Sequence, residues 1–216
     1  MRKHWLLVTL LAAPAIAAAQ STPSRLGLFL GANRAHVEGS SVSDISNRAG
    51  GASGLYYAVP LGSVDWSFQT GAILTSKGWR RVEPQTLDLA VVKMNYVEVP
   101  LLLRGDIAAQ ESFGGFVYGG AGLGFRQACT LFASSHSTGA SASATCADVE
   151  KSGAVKFETF DIGAIIGAGA RMNIGRQRLV ITAQYEHGLR DVQSNHDIKN
   201  RVLTYGVGFE VPIGGK

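Results

Sequence analysis

Apolar residues alternate with polar or small ones over long stretches of this chain, and this period of two constrains the fold more than any other feature. The segment Phe160–Met172 is the clearest example: its even positions are all apolar, and its odd positions carry Asp, Gly or Arg, with Ile165 as the exception. In a helix, Asp161 and Arg171 would share a face with Ile165. The pattern therefore favours a strand with one apolar and one polar face.

Seven further segments show the same alternation, some of them more weakly. They are Leu26–His36, Ala52–Pro60, Asp65–Thr75, Tyr96–Arg104, Phe116–Arg126, Leu179–Glu186 and Leu203–Ile213. Most are close to the ~9–11 residues that a tilted β-strand needs to cross hydrocarbon. The smallest outer-membrane barrels have about eight strands. The sequence thus predicts an all-β fold, an eight-stranded antiparallel up-and-down transmembrane β-barrel.

The connections between these segments alternate between long and short. The short ones are Pro60–Ser63, Gly105–Ser112 and Asn173–Gln177, and the long ones are Val37–Gly50, Lys77–Val91, Gln127–Val155 and Asp191–Lys199. Membrane barrels have short periplasmic turns at one end and longer extracellular loops at the other. We therefore expect the four long connections to be extracellular and both termini to be periplasmic.

The first residues resemble a secretory signal peptide. Arg2 and Lys3 precede an apolar run that ends at Ile16, and Ala17–Ala19 supply the small side chains that a signal peptidase requires. We expect residues 1–19 to be a cleaved signal peptide and residues 20–216 to form the barrel domain, in the cell outer membrane. Without Arg2 and Lys3 the 20 basic residues fall to 18 against 16 acidic ones, so the charge gives no indication of nucleic-acid binding.

The polar face of the predicted strands carries charges of both signs. The alternation places eight charged residues in the lumen: Asp65, Glu98, Arg104, Asp161, Arg171, Glu186, Arg190 and Glu210. Such an interior could form a path for ions or a substrate. An eight-stranded barrel is narrow, however, so inward side chains fill it and buried charges pair. We expect a plugged lumen held by salt bridges.

Cys129 and Cys146 are the two cysteines of the chain, and both fall in the longest predicted loop. An exported protein meets an oxidising compartment, which favours a disulfide over a metal or redox site. We expect the pair to form a disulfide that restrains the loop, and we expect no cofactor or metal.

Two alternatives remain open at this point. A soluble periplasmic calyx of the lipocalin type would bind an apolar ligand, with its apolar residues inside and its charged residues outside. A lipid hydrolase at the barrel rim would use His136 or His187, but no G-x-S-x-G or H-E-x-x-H motif accompanies either histidine. We therefore expect a protein that is not an enzyme.

Several strings resemble the outer-membrane β-barrel family that includes PorT-like proteins, which is common in Bacteroidetes. The strongest is Tyr96–Arg104, YVEVPLLLR, which is similar to that family's "Y-L-E-I-P-L-L-L-K" strand. Weaker similarities, in the family's order, lie at Leu28–Asn33, Lys77-Gly78, Phe160–Gly169 and Tyr185–Leu189. The resemblance implies an integral outer-membrane barrel. The corresponding expectation for function is a structural role, or an accessory role in envelope transport, secretion or surface interaction. The expected partners are outer-membrane lipid, the barrel insertion machinery and other envelope proteins, but not nucleic acid.

Overall fold

The computed structural model describes residues 23–40, 45–62, 65–108, 111–153, 155–194 and 196–214. Within them lie nine strands and one short helix, and no described helix is long and apolar enough to span a membrane. The elements are β1 (Ser24–Glu38), β2 (Ile45–Pro60), β3 (Trp66–Val82), β4 (Leu89–Ile107), β5 (Phe113–Ser134), β6 (Ser141–Thr145), α1 (Cys146–Lys151), β7 (Phe160–Ile174), β8 (Gln177–Gln193) and β9 (His196–Ile213). The predicted signal peptide, residues 1–19, lies outside the described residues.

Eight of these strands close into a ring of antiparallel neighbours. Each pairs with the next along the chain, β5 pairs with β7, and β1 pairs with β9. The short strand β6 pairs only with the end of β5 and stands outside the ring. The predicted eight-stranded antiparallel barrel is confirmed.

The register around the ring defines the tilt of the strands. A path of paired residues that leaves β2 at Ala49 runs through Arg34 on β1 and continues around the ring. It passes Leu203, Tyr185, Ile166, Gly119, Leu103 and Phe68, and returns to β2 at Val59, ten residues from its start. A shift of this size over eight strands corresponds to a strand tilt of about 40°.

The outer face of the barrel is apolar and its interior is polar. Ile166 is 67% exposed and Leu74 58%, whereas the inward-facing Arg171 is 1% exposed and Glu210 is fully buried. A soluble protein would hide such leucines and isoleucines and expose such charges. The distribution is the one required when the medium around the strands is hydrocarbon.

Interior aromatic rings fit against glycines on neighbouring strands. Gly167 lies opposite Tyr118, and a Cβ atom added to it would lie 2.3 Å from the Cζ of that ring. The same arrangement joins Gly27 to Tyr56 and Gly169 to Phe116. The glycines of the polar faces thus provide the room that large rings need in a narrow barrel.

The strands extend beyond the predicted limits, and the four predicted loops are correspondingly too long. Strand residues occupy both ends of Val37–Gly50, Lys77–Val91 and Asp191–Lys199. Gln127–Val155 contains the end of β5, all of β6 and α1. The sequence prediction stopped where the apolar alternation ends, but backbone pairing continues past the hydrocarbon, where outward residues can be polar. By the strand bounds, the connections 39–44, 83–88 and 194–195 are hardly longer than 61–65, 108–112 and 175–176, so the difference between the two ends rests on the connection 135–159 between β5 and β7.

Candidate functional site

Two layers of charged side chains fill the interior, and the first is centred on Lys77 of β3. Its Nζ lies 2.7 Å from Oε2 of Glu98, 2.5 Å from Oε1 of Glu186 and 3.6 Å from Oδ2 of Asp161. These acids come from β4, β8 and β7, and Asn200 of β9 donates a hydrogen bond of 2.8 Å to Asp161. One ammonium group thus connects four strands across the lumen. We refer to Lys77, Glu98, Asp161 and Glu186 as the Lys77 layer.

The second layer lies at the end of the barrel that carries the connections after β2, β4 and β7 and the described termini, here called the turn end. Arg104 Nη1 lies 2.6 Å from Glu210 Oε1, and Arg104 Nη2 lies 3.0 Å from Asp106 Oδ1. Tyr56 donates a hydrogen bond of 2.8 Å to Glu210, and Arg171 Nε lies 3.5 Å from Asp106 Oδ1. Arg171 also donates to the backbone oxygens of Ala108 and Glu111, so it anchors the adjacent turn.

Apolar and hydroxyl side chains separate the two layers. Leu102, Phe116 and Ile165 are buried between the strands, and the guanidinium of Arg104 lies 3.9 Å from the centre of the Phe116 ring. An internal cavity of about 50 Å³ remains, and both Glu186 and Arg104 border it. A water molecule needs roughly 10–15 Å³ of such space, so the cavity has room for only a few. The lumen is therefore packed rather than open.

The opposite end of the barrel, which carries the connections after β1, β3, β5 and β8, is here called the loop end, and an apolar plug closes it. The plug consists of buried side chains from the strands and from the segment that follows β6: Val37, Trp79, Val92, Met94, Cys146, Phe157, Val192 and Ile198. Phe157 is 3% exposed, and its ring centre lies 6.5 Å from that of Trp79. The segment is also held by Arg126, which donates to the Phe157 carbonyl oxygen at 3.0 Å.

The disulfide joins Cys129 of β5 to Cys146 at the start of α1, the pairing expected from the sequence. Cys146 is 1% exposed and belongs to the plug. The bond therefore fixes one end of α1 to the barrel wall, directly beside the buried side chains that close the loop end.

Hydrogen bonds at the loop end also perturb two carboxyl groups outside the barrel wall. The backbone N–H of His136 donates to Asp88 at 2.9 Å, and this bond is the main reason why the pKa of Asp88 is lowered. The hydroxyl of Ser194 donates to Glu158 and is the largest cause of the lowered pKa of that carboxyl. Asp88 thus joins its connection to the one that contains His136, and Glu158 joins that same connection to Ser194, which follows β8.

The structure brings six of the eight predicted lumen charges into the interior: Glu98, Arg104, Asp161, Arg171, Glu186 and Glu210. The prediction was wrong for Asp65 and Arg190. Asp65 is exposed at the turn end, just before β3 begins. Arg190 is exposed because the β8–β9 register is irregular between His187 and Asp191, which breaks the alternation, and it pairs with Glu158 at 3.3 Å.

Two interior charges were missed because the sequence prediction placed them in connections. Lys77 was assigned to a loop and Asp106 to a turn, yet β3 and β4 continue through them. The sequence does contain an indication of both, since Lys77 continues the odd-numbered inward positions of Gln69 and Thr75 on β3. Asp106 continues the inward series of Glu98 and Arg104 in the same way.

The arrangement excludes the calyx alternative. That fold needs an apolar interior and a charged exterior, and the described strands show the reverse. Among the described residues, no group of three or more His, Cys, Asp or Glu side chains is arranged to hold a metal ion.

Comparison with known proteins gives a consistent result. The model of the outer membrane protein beta-barrel domain family matches residues 18–194. No curated protein is significantly similar to the chain.

Among solved structures, the attachment invasion locus protein Ail of Yersinia pestis is similar at 21% identity. The match has a TM-score of 0.42 and covers 88% of this chain and 99% of that one. Neisserial surface protein A (NspA) matches at 14% identity and a TM-score of 0.45, covering 87% of this chain and 97% of that one. OprG from Pseudomonas aeruginosa matches at 11% identity and a TM-score of 0.47, covering 90% and 97%. With the family model matched over most of its length, this chain belongs to the outer membrane protein β-barrel domain family and is a protein of the cell outer membrane.

Proposed function

We propose that this chain is a non-conducting, non-enzymatic outer-membrane barrel that acts structurally or as an accessory to envelope transport, secretion or surface interaction. The observation that carries the proposal is the filled lumen. Two ionic layers, an apolar layer and the loop-end plug occupy its length, and the cavity between the ionic layers measures only about 50 Å³. Because the lumen is packed, the loop end is the surface that remains available for a specific interaction.

The orientation forms part of the proposal. The loop end faces the cell exterior and the turn end faces the periplasm, as expected when the longest connection of a membrane barrel is extracellular. The described connection between β5 and β7 is the longest, and it contains β6 and α1. Its tip and that of the 83–88 connection are joined by the hydrogen bond from His136 to Asp88.

Within the wider family we propose a PorT-like subtype, supported by the similarity of Tyr96–Arg104 to that subtype's strand. In this chain the segment lies within β4 and supplies Glu98 to the Lys77 layer and Arg104 to the turn-end layer. The proposed partners are outer-membrane lipid, the insertion machinery and other envelope proteins, without nucleic acid or a cofactor.

The surroundings of the histidines support a role without catalysis. The ring nitrogens of His136 and His187 make no hydrogen bond with any described residue, and His136 contacts Asp88 only through its backbone. The ring of His187 lies on the outer face, 6.4 Å from that of Tyr185. A general base needs a nucleophile or an orienting carboxylate within hydrogen-bond reach of its ring.

Conductance across a planar lipid bilayer tests the proposal. The purified barrel should give no current steps above those of a protein-free bilayer. A variant that empties the Lys77 layer (Lys77→Ala, Glu98→Ala, Asp161→Ala and Glu186→Ala) should leak if it folds, and a variant with exposed changes (Lys151→Ala and Asp148→Ala) should remain silent. Stable ion-selective steps from the unmodified protein would disprove the filled-lumen proposal.

The accessory role has a separate test in cells. A strain without the gene should show a changed profile of secreted or surface-exposed proteins, restored by the full chain. A chain in which residues 135–144 are replaced by a short Gly-Ser linker should insert but fail to restore the profile. Full restoration by that variant would argue against a function carried by the longest connection.

A further inference from the structure

We propose that a patch of outward-facing cations on β1, β3 and β4 binds the phosphate groups of a phosphorylated glycolipid in the outer leaflet. The patch consists of Arg34, Arg80 and Lys93, all of which are exposed. The proposal rests on the orientation proposed above, with the loop end outside, and names one lipid class as a partner.

The three cations lie beyond the apolar part of the outer face, toward the loop end. On β1 the outward series runs through Leu28, Leu30 and Ala32 before it reaches Arg34. On β4 the outward series Leu103, Leu101, Val99 and Val97 leads through Asn95 to Lys93, and on β3 Arg80 lies beyond Leu74. On each strand the outer surface therefore changes from apolar to cationic toward the loop end. At that depth a side chain meets lipid headgroups rather than acyl chains.

The three cations are spaced closely enough for one headgroup to reach more than one of them. Arg80 pairs with Val91, and Lys93 pairs with Gly78, so Arg80 and Lys93 are diagonal neighbours on adjacent strands. Such neighbours lie roughly 7–8 Å apart between Cα atoms. Arg34 lies two strands away from Arg80, about 10 Å across the sheet, and the two differ by three positions along β2, about another 10 Å, which places their Cα atoms about 14 Å apart. Flexible cationic side chains at these separations can contact two phosphates of one headgroup.

The three cations also differ from other outward cations in their surroundings. Within the described part of the chain, no acidic side chain forms an ion pair with Arg34, Arg80 or Lys93. Other outward cations at the loop end are paired: Arg190 lies 3.3 Å from Glu158, and Lys199 lies 3.2 Å from Asp191. Arg201 of β9, a diagonal neighbour of Arg34, lies 2.8 Å from Glu38 of β1. Protein carboxylates thus neutralise these cations, whereas the patch retains its positive charge for an external anion.

The lipid environment supplies the anion. A phosphorylated glycolipid offers fixed negative charges at the headgroup level of the outer leaflet, and its acyl chains would contact the apolar outer face directly below the patch. Each cation near an anionic lipid surface adds to the attraction, so the three together should strengthen the binding of such a lipid by about tenfold or more.

Native mass spectrometry of the folded protein in detergent tests the proposal, with diphosphoryl lipid A as the probe. The unmodified barrel should carry one bound lipid, and monophosphoryl lipid A should bind several-fold more weakly. The variant Arg34→Gln, Arg80→Gln and Lys93→Gln should lose about tenfold or more in affinity. The matched control, Arg190→Gln and Lys199→Gln, removes two outward cations that are already paired and should bind as the unmodified protein does.

Two results would overturn the proposal: equal binding by the triple variant and the unmodified protein, or binding of phosphatidylglycerol as tight as that of diphosphoryl lipid A. The three residues are exposed, so the variant should fold, and heat-modifiable migration on a gel verifies this. Binding in detergent depends neither on conduction nor on orientation. The lipid proposal can therefore fail while the proposed function holds, and the proposed function can fail while lipid A still binds.

Discussion

The ammonium nitrogen of Lys77 lies 2.7 Å from Oε2 of Glu98 in the middle of the barrel, and neither side chain is more than 5% exposed. Glu186 and Asp161 approach the same nitrogen from two other strands. A buried charge is tolerated only when it is paired. This single lysine is therefore the group that allows three carboxylates to be buried together.

Replacing Lys77 by Met should destabilise the barrel by about 3–5 kcal/mol, because it leaves the carboxylates buried without their cation. Urea unfolding in lipid vesicles, followed by heat-modifiable gel migration, measures the effect. Adding Glu98→Gln and Glu186→Gln to Lys77→Met should recover part of the loss. Lys151→Ala, at a side chain that is 78% exposed, is the control and should change the unfolding free energy by less than about 0.5 kcal/mol. Equal effects of Lys77→Met and Lys151→Ala would contradict the central role of Lys77.

Gly167→Ala should cost about 1–3 kcal/mol, because the added methyl group would overlap the ring of Tyr118. Moving the ring would also strain the hydrogen bond of 2.6 Å between the hydroxyls of Tyr118 and Thr182. Gly119→Ala is the matched control, since its Cβ would come no closer than 3.5 Å to the Ile165 carbonyl oxygen. Equal unfolding midpoints for the two variants would show that the ring moves aside freely.

Reduction of the disulfide should loosen α1 and the connection around it while the ring of eight strands stays intact. The bond joins cysteines that are 17 positions apart, and a loop of this size corresponds to a stabilisation of about 3 kcal/mol. Limited proteolysis should cut residues 135–153 faster in the reduced protein, and in a Cys129→Ser, Cys146→Ser variant, than in the oxidised one. Unchanged cleavage rates would mean that the apolar plug alone holds the segment.

The contact between Asp88 and His136 should depend on pH. The pKa of Asp88 is lowered in the folded state, chiefly because the His136 N–H donates to the carboxylate. A lowered pKa means that the contact contributes above the unfolded pKa of about 3.9 and is lost as the pH falls through the folded value. The amide proton signal of His136 in NMR spectra should therefore shift in acid with a midpoint below 3.9. Asp88→Asn should remove this shift, and an unaltered titration in that variant would assign it to another group.

The sequence was sufficient for the barrel and for most of the inward charges, because alternation decides which side of a strand a residue occupies. Glu98, Asp161 and Glu210 were placed correctly by parity alone. The alternation does not show where the pairing between strands stops, so Lys77 and Asp106 were assigned to connections. It also fails at register irregularities, which is why Arg190 was misplaced.

The plug and the patch could not be predicted from the sequence, for a different reason. Cys146 and Phe157 reach the interior from a segment without periodicity, and no local pattern indicates which of its residues turns inward. Arg34, Arg80 and Lys93 are far apart in sequence, and only the tilt and register of the strands bring them onto one surface.

The pairing of β1 with β9 has a consequence for the time course of assembly. Of the eight ring strands, β1 is synthesised first and β9, one of its two partners, last, so one side of β1 keeps unpaired N–H and C=O groups until β9 is present. Such groups are costly in hydrocarbon. The nascent chain must therefore be sheltered as a whole, and a polypeptide that stops before residue 196 would leave both β1 and β8 with an open side that invites aggregation.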